Sequence, residues 1–208
     1  MEIKERIQKK AQELFRRYGV KSVTMDEIAS QLGVSKKTIY QYFSDKDELV
    51  LEVANSVISY TQTCCNDHSI HSENAIEELF YAMKFGQQMF QEISPAMLFD
   101  LEKHHPQAHR NFLKYKNDYM LKVIEKNLLR GIEEGLYRPE LNVNVISRFR
   151  LETMFLPLDP SAYPPGKYKA QDVHISIIEH FLFGIASPKG YKLILNYQKR
   201  YKTQANEM

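Results

Sequence analysis

The chain has 208 residues, 43% hydrophobic and 26% charged, with a formal net charge of +2. This is an ordinary soluble globular composition, long enough for one large domain or a small domain joined to a larger one. No apolar run approaches the ~20 residues needed to cross a bilayer, and the amino terminus MEIKERIQKK lacks a signal peptide's apolar core, so a cytoplasmic chain without membrane contact is expected.

Residues 2–18 read as a helix whose inward stripe is Ile3, Ile7, Ala11, Leu14, Phe15 and Tyr18, stopped by Gly19. Thr24-Met25-Asp26-Glu27 is a capping box opening a second helix, with Met25, Ile28, Ala29 and Leu32 on its buried face. Gly33 ends it and turns the chain, and Ser35 caps a third helix, Lys36 to Phe43. Two short helices joined by a glycine turn form a helix-turn-helix, and small Ala29 lets them cross closely. The second helix exposes Lys36, Lys37, Thr38, Tyr40, Gln41 and Tyr42. Lysines and hydroxyls, that of Ser35 included, suit phosphates, and Gln41 suits a base edge in the major groove. Residues 1–50 hold ten Lys/Arg against eight Asp/Glu, while the remainder is balanced, so the charge excess sits with this motif.

These residues resemble the TetR-type transcriptional regulators. The resemblance lies in Thr24, Ile28, Ala29, Leu32-Gly33-Val34-Ser35, Thr38-Ile39-Tyr40, Tyr42-Phe43, Lys46 and Leu49, and covers about the first fifty residues. It implies phosphate contacts for Thr24, Thr38, Tyr40, Tyr42 and Lys46, and base-facing positions for Lys36, Lys37 and Gln41. Tyr42 departs from the His often found at its position. It also implies a ligand-responsive repressor that leaves double-stranded DNA when a small apolar or amphipathic effector binds, and a homodimer on a palindromic operator. Paired recognition helices ~34 Å apart meet successive major grooves.

Ser44-Asp45-Lys46-Asp47 opens a fourth helix through Leu49, Val50, Val53, Ala54, Val57 and Ile58, a mechanical link between residues 1–46, the DNA-binding domain, and 47–208, a helical ligand-binding and dimerisation domain. Cys64 and Cys65 adjoin, a poor basis for a structural disulfide; a vicinal redox or metal pair stays open at this spacing. Asn66 to Ser72 is expected as a loop. Ser72 then caps a helix through Phe90, Ser94-Pro95 opens a short one, and Pro106 starts a long one ending at Gly131 to Gly135. Residues 142–156 form another, 157–168 a proline-rich insert, Gln171 to Ala186 a helix apolar nearly all round, and Ser187-Pro188 opens the last. The fold expected is all-α, about ten helices.

Phe85, Met89, Met97, Phe99, Phe112, Tyr115, Tyr119 and Met120 are candidates for a pocket lining, or for ordinary core. Phe149, Met154, Ile177, Phe181 and Ile185, on helices 142–156 and 171–186, are candidates for the dimer seam, unless the second helix is simply internal. His104, His105 and His109 lack the partners of a metal site, and no phosphate loop, nucleophile elbow or metalloprotease motif appears, so neither cofactor nor catalysis is expected. Two other readings remain: a DNA-binding regulator whose large domain takes a protein, and an all-α interaction protein with a coincidental helix-turn-helix.

Overall fold

The helical periods fold as helices along nearly the whole chain. The structure, a computed structural model, describes residues 2–91 and 94–206, with side chains described as far as residue 200. The elements are α1 (Ile3–Tyr18), α2 (Met25–Leu32), α3 (Lys36–Tyr40), α4 (Lys46–His71), α5 (Ala75–Phe90), α6 (Met97–His104), α7 (Pro106–Lys114), a π-helical turn (Tyr115–Met120), α8 (Leu121–Glu133), α9 (Val143–Thr153), a 3-10 turn (Leu156–Leu158), α10 (Ala170–Ile185) and α11 (Pro188–Asn206). Among the described residues the only extended pairings are isolated bridges, such as Tyr137 with Ala186. No described helix is long and apolar enough to cross a membrane.

Two cores organise these elements. The first joins Ile7, Ala11, Leu14 and Phe15 of α1 to Ile28, Ala29, Ile39 and Phe43, and extends past residue 46 to Leu49, Val50 and Val53 of α4. It also takes in Leu101 of α6 and Ala108 of α7, so elements of the larger part complete the smaller one. The second gathers Ile76 and Phe80 of α5, Leu128 of α8, Phe181, Leu182 and Ile185 of α10, and Ile194 and Tyr197 of α11.

The expected loop at Asn66 to Ser72 is helical: α4 runs unbroken to His71. The Tyr119 hydroxyl, which donates to the Gln62 carbonyl at 3.1 Å and lies 3.0 Å from Asn66 Oδ1, ties this polar stretch to the neighbouring helix. Two caps lie a little further on than the sequence indicates. Asp45, not Ser44, caps α4, its carboxylate accepting from the Glu48 amide at 2.8 Å, while the Ser44 amide donates to Glu48 at 2.6 Å. Asn74, not Ser72, caps α5, accepting from the Glu77 amide at 3.0 Å. The long helix after Pro106 is interrupted by the π turn, where the Tyr115 hydroxyl reaches Met120 Sδ at 2.8 Å.

The helix at 170–185 is not buried all round. Val173, His174, Ile178, Phe181, Leu182 and Ile185 face inward, chiefly against α5, while Asp172, Ser176 and His180 are exposed. Phe181 and Ile185 therefore belong to the protomer's own core and offer no docking face, whereas Phe149 is 51% exposed and Met154 and Ile177 are half-buried.

Candidate nucleic-acid interface and effector cleft

Local sequence builds the first site. Thr24 Oγ1 accepts from the Glu27 amide at 3.1 Å and starts α2. Gly33 has φ +67 and ψ 32, the left-handed conformation glycine adopts without a Cβ penalty, and the Val34 amide returns to the Ala29 carbonyl at 3.0 Å. Ser35 Oγ then accepts from the Thr38 amide at 3.1 Å and lies 2.8 Å from Thr38 Oγ1. Ile39 and Phe43 are buried, so the rest of the segment turns outward: Lys36, Lys37 and Gln41 are exposed, Tyr40 is 44% exposed and Tyr42 38%. Thr24 and Ser35 are exposed and Thr38 is half-buried. The Thr24 hydroxyl keeps its proton, and one of the Ser35–Thr38 hydroxyl pair keeps one, to donate to an anionic oxygen.

Two lysines are already engaged. Lys36 Nζ lies 2.7 Å from Asp26 Oδ2, and this hydrogen bond raises the lysine's pKa. A phosphate or base that takes Lys36 must compete with Asp26. Lys46 Nζ donates to the Val20 carbonyl at 2.7 Å and the Lys21 carbonyl at 3.4 Å, and burial lowers its pKa. Its ammonium thus fastens the α1–α2 loop to the start of α4, a structural role that the sequence does not suggest.

The same loop is held from the other side by α6. Asp100 Oδ2 accepts from the Lys21 amide at 2.9 Å, and Ser94 donates its amide to the Arg16 carbonyl at 2.6 Å. His105 Nδ1 sits 2.6 Å from Asp47 Oδ1. Gly19, at φ +82, is required twice over, because a Cβ there would come within 2.9 Å of Asp100 Oδ2. Helix α6 and the turn before it therefore grip α1, the α1–α2 loop and the start of α4.

In the larger part the eight candidate pocket residues fall into separate contacts. Phe99 is 59% exposed beneath Lys103, and Met97 packs against the amino-terminal core. Phe85 sits against Tyr60 and His68, and Phe112 meets Phe155 edge-on at 5.4 Å. Tyr115 and Tyr119 stack at 5.7 Å beside buried Met120, and Met89 is half-buried. A cleft of about 330 Å³ lies elsewhere, between the end of α5 (Phe90, Gln91), Pro95, the proline-rich segment (Pro157, Tyr163, Pro165, Tyr168) and the start of α10 (Lys169, Ala170, Gln171). A shallower one is bounded by Leu136, Pro188, Lys192 and Leu193. Among the described residues no group of three or more His, Cys, Asp or Glu is placed to hold a metal. Burial pushes the Cys65 thiol up to about 11, which leaves it a poor nucleophile at neutral pH.

Sequence reasoning missed two buried side chains, Arg150 of α9 and His174 of α10, the latter stacked on Phe90 of the cleft wall. The available signal was positional: Arg150 shares the inward face of α9 with Ser147 and Leu151.

Residues 7–53 match the family described as bacterial regulatory proteins, tetR family. The HTH-type transcriptional repressor KstR2 of Mycobacterium tuberculosis is 25% identical over 186 residues, 83% of this chain and 87% of that protein. Among solved structures, a transcriptional regulator from Saccharomonospora viridis in complex with choline aligns with a TM-score of 0.72 at 16% identity, over 88% of this chain and 97% of that one. The regulator FadR from Bacillus subtilis in complex with stearoyl-CoA aligns with a TM-score of 0.65 at 20% identity, over 87% and 98%.

Proposed function

We propose, on the premise that the chain belongs to the TetR family of DNA-binding transcriptional regulators, that it acts as a homodimeric repressor of a palindromic operator, released by a small amphipathic molecule. The observation that carries the DNA reading is the outward set Lys37, Tyr40, Gln41 and Tyr42 on a segment anchored inward by Ile39 and Phe43. Thr24, Ser35, Thr38, Tyr40 and Tyr42 contact phosphates, and Lys37 and Gln41 reach base edges. Lys36 joins them once Asp26 lets go.

Dimerisation through α9 and α10 is supported by Val145 and Phe149, one helical turn apart and both more than half exposed, with half-buried Ile177 on α10. A two-fold seam there sets the spacing of the recognition helices, ~34 Å for successive major grooves. Repression follows the relative KstR2, described as a repressor. A small-molecule effector is favoured by FadR's stearoyl-CoA and the Saccharomonospora protein's choline. Those two ligands differ so much in chemistry that the fold alone does not choose between them.

The release step follows from the cleft's surroundings. Phe90, Gln91 and Pro95 form one wall of the cleft. Ser94, next to Pro95, is bonded to α1, and Asp100, one turn into α6, is bonded to the α1–α2 loop. A ligand that fits a displaced Pro95 better than the resting one moves α6 and with it the angle of the DNA-binding unit. Release extends only as far as the ligand's affinities for the two arrangements differ. The proline-rich wall acts as the flap over the ligand.

The test is capture and sequencing of genomic fragments on the purified full-length protein, followed by anisotropy titrations of the recovered site at several salt concentrations. A palindromic site bound by two chains, with affinity falling steeply with salt, is the expected result. A monomer at micromolar concentration, or retention indifferent to sequence and salt, would refute the reading.

A further inference from the structure

Arg150 is 3% exposed, and it forms no salt bridge among the described residues. Its Nη1 has no hydrogen-bond partner, and its guanidinium stands 5.5 Å from the centroid of the Phe181 ring. His174 is 2% exposed; neither ring nitrogen makes a hydrogen bond of good geometry, and only the Met83 backbone lies close enough to favour its protonation. Its ring lies 5.0 Å from that of Phe90 and against the backbone of Gly86, where a Cβ would overlap it. Buried polar groups are normally satisfied, and a buried cation without a counter-charge is costlier still. Arg150 lies near enough to act on His174 through its charge, and the two together leave a buried cation and a buried imidazole without a counter-charge or a well-formed hydrogen bond.

The cleft lies one layer from this pair, behind Phe90. Phe90 is both a wall of the cleft and the stacking partner of His174. Ala170 and Gln171, on the same wall, precede His174 by one turn of α10 and share its face. The volume of about 330 Å³ is at the small end of the ~300–1,000 Å³ found for small-molecule sites.

We propose that Arg150 and His174 are the anion-receiving end of the effector site, taking the carboxylate of an amphipathic monocarboxylic acid whose apolar body fills the cleft between Phe90 and the proline-rich segment. The charge count selects the head group. Burial, reinforced by Arg150, lowers His174 to about 4, whereas Arg150, lowered by burial to about 10, stays protonated at neutral pH. One net positive charge is neutralised by one carboxylate, whose two oxygens match the guanidinium fork, with the neutral imidazole donating one further hydrogen bond. A phosphate dianion would leave a negative charge uncompensated in a dry site, and a quaternary ammonium would face Arg150 directly. The assignment rests on the reading of the larger domain as a small-molecule receptor.

The test uses the full-length protein with octanoate, decanoate and phenylpropanoate, their uncharged amides, and octyl phosphate, read by thermal shift and calorimetry, with Arg150→Met and Arg150→Lys beside the wild type. The acids are expected to raise the melting temperature and the amides not to. Arg150→Met is expected to weaken the acids ~10- to 100-fold, as for the loss of a charge-assisted hydrogen bond, and Arg150→Lys to retain part of the binding. Arg150→Met should also leave the melting temperature of the unliganded protein unchanged or higher, because it removes an uncompensated buried charge. Amides that bind as well as acids would overturn the anion site while leaving the small-molecule reading intact. Preference for octyl phosphate would overturn the carboxylate. No shift with any probe would overturn the proposal, and a destabilised Arg150→Met would then make the arginine structural.

Discussion

Asp100→Ala tests whether α6 holds the DNA-binding unit in place. In the intact chain the buried Asp100 carboxylate accepts from the Lys21 amide at 2.9 Å, while Lys46 holds the Val20 and Lys21 carbonyls from the opposite side. Asp100 is also the main charge holding up the pKa of Lys46 against the lowering effect of burial. Removing the carboxylate breaks one charge-assisted hydrogen bond, worth about 1.5–3 kcal/mol, and leaves the Lys21 amide and the Lys46 ammonium less well compensated. For a chain of this size, 1 kcal/mol corresponds to ~2–4 °C, so a fall of about 6 °C in melting temperature is expected. Function should change more distinctively: the effector should shift operator affinity less in the variant, because α6 no longer pulls the loop. Differential scanning calorimetry and anisotropy on the captured operator, with and without effector, read both. A melting temperature within about 1 °C of wild type with an undiminished effector response would refute a transmitting contact at Asp100.

Gly33→Val should cost about 1–2 kcal/mol, all of it backbone strain at φ +67, because a Cβ there meets nothing within 4 Å; thermal melting checks it, and Gly33→Asn should cost less. Tyr40→Ala should weaken all DNA sequences alike, while Gln41→Ala should flatten the preference at one base pair by ~1–3 kcal/mol, read by titrating single-substitution operators. His174 makes stability depend on acid. Its folded pKa of about 4 lies below the unfolded value of 6.5, so the unfolded chain binds more protons between those values, and stability is full above about pH 6.5 and falls as pH drops toward 4. Between pH 7 and pH 5 the loss should be about 2 kcal/mol. Glu78, raised by burial above its ordinary 4.5, works in the opposite sense within the same window, so subtracting the pH profile of His174→Leu isolates the histidine.

The helix-turn-helix was legible because its signals are local: a Thr cap, a positive-φ glycine and a Ser cap stand within a dozen residues, and each acts on the amides next to it. Caps a residue or two away were misplaced where candidates adjoin, as at Ser44 beside Asp45 and Ser72 near Asn74. The polar end of α4 looked like a loop because its helix is secured by contacts from Tyr119, more than fifty positions along the chain. The pocket was the least legible feature. Which aromatics meet depends on the direction of α6, and α6 turns Met97 toward the amino-terminal core and Phe99 into solvent. Arg150 and His174 escaped notice because burial without a partner is a property of the assembled helices, not of any stretch of sequence.

The arrangement of α5 explains how a cleft at one end of the larger domain can act on a motif that shares no side chain with it. The first turn of α5 is immobilised: Arg130 binds Glu134 at 2.7 Å, Ser72 Oγ at 2.8 Å and Glu78 at 3.3 Å, and Glu134 in turn accepts from the Ala75 amide at 2.8 Å. Asn127 and the Tyr137 hydroxyl both donate to the Ala75 carbonyl at 3.0 Å. Among the described residues no side-chain hydrogen bond or ion pair clamps the last turn, which ends in Phe90 and Gln91 at the cleft. A helix fixed at one end and loaded at the other transmits displacement at its free end, and the described chain resumes at Ser94, whose amide already bonds Arg16 in the last turn of α1. Ser94→Pro, which deletes that donor without adding charge, should therefore leave effector binding intact while reducing the effector's influence on DNA affinity. Calorimetry of the effector and anisotropy of the operator on the same variant separate the two. Equal losses in both would mean that the turn at 94–97 shapes the cleft rather than carrying its signal.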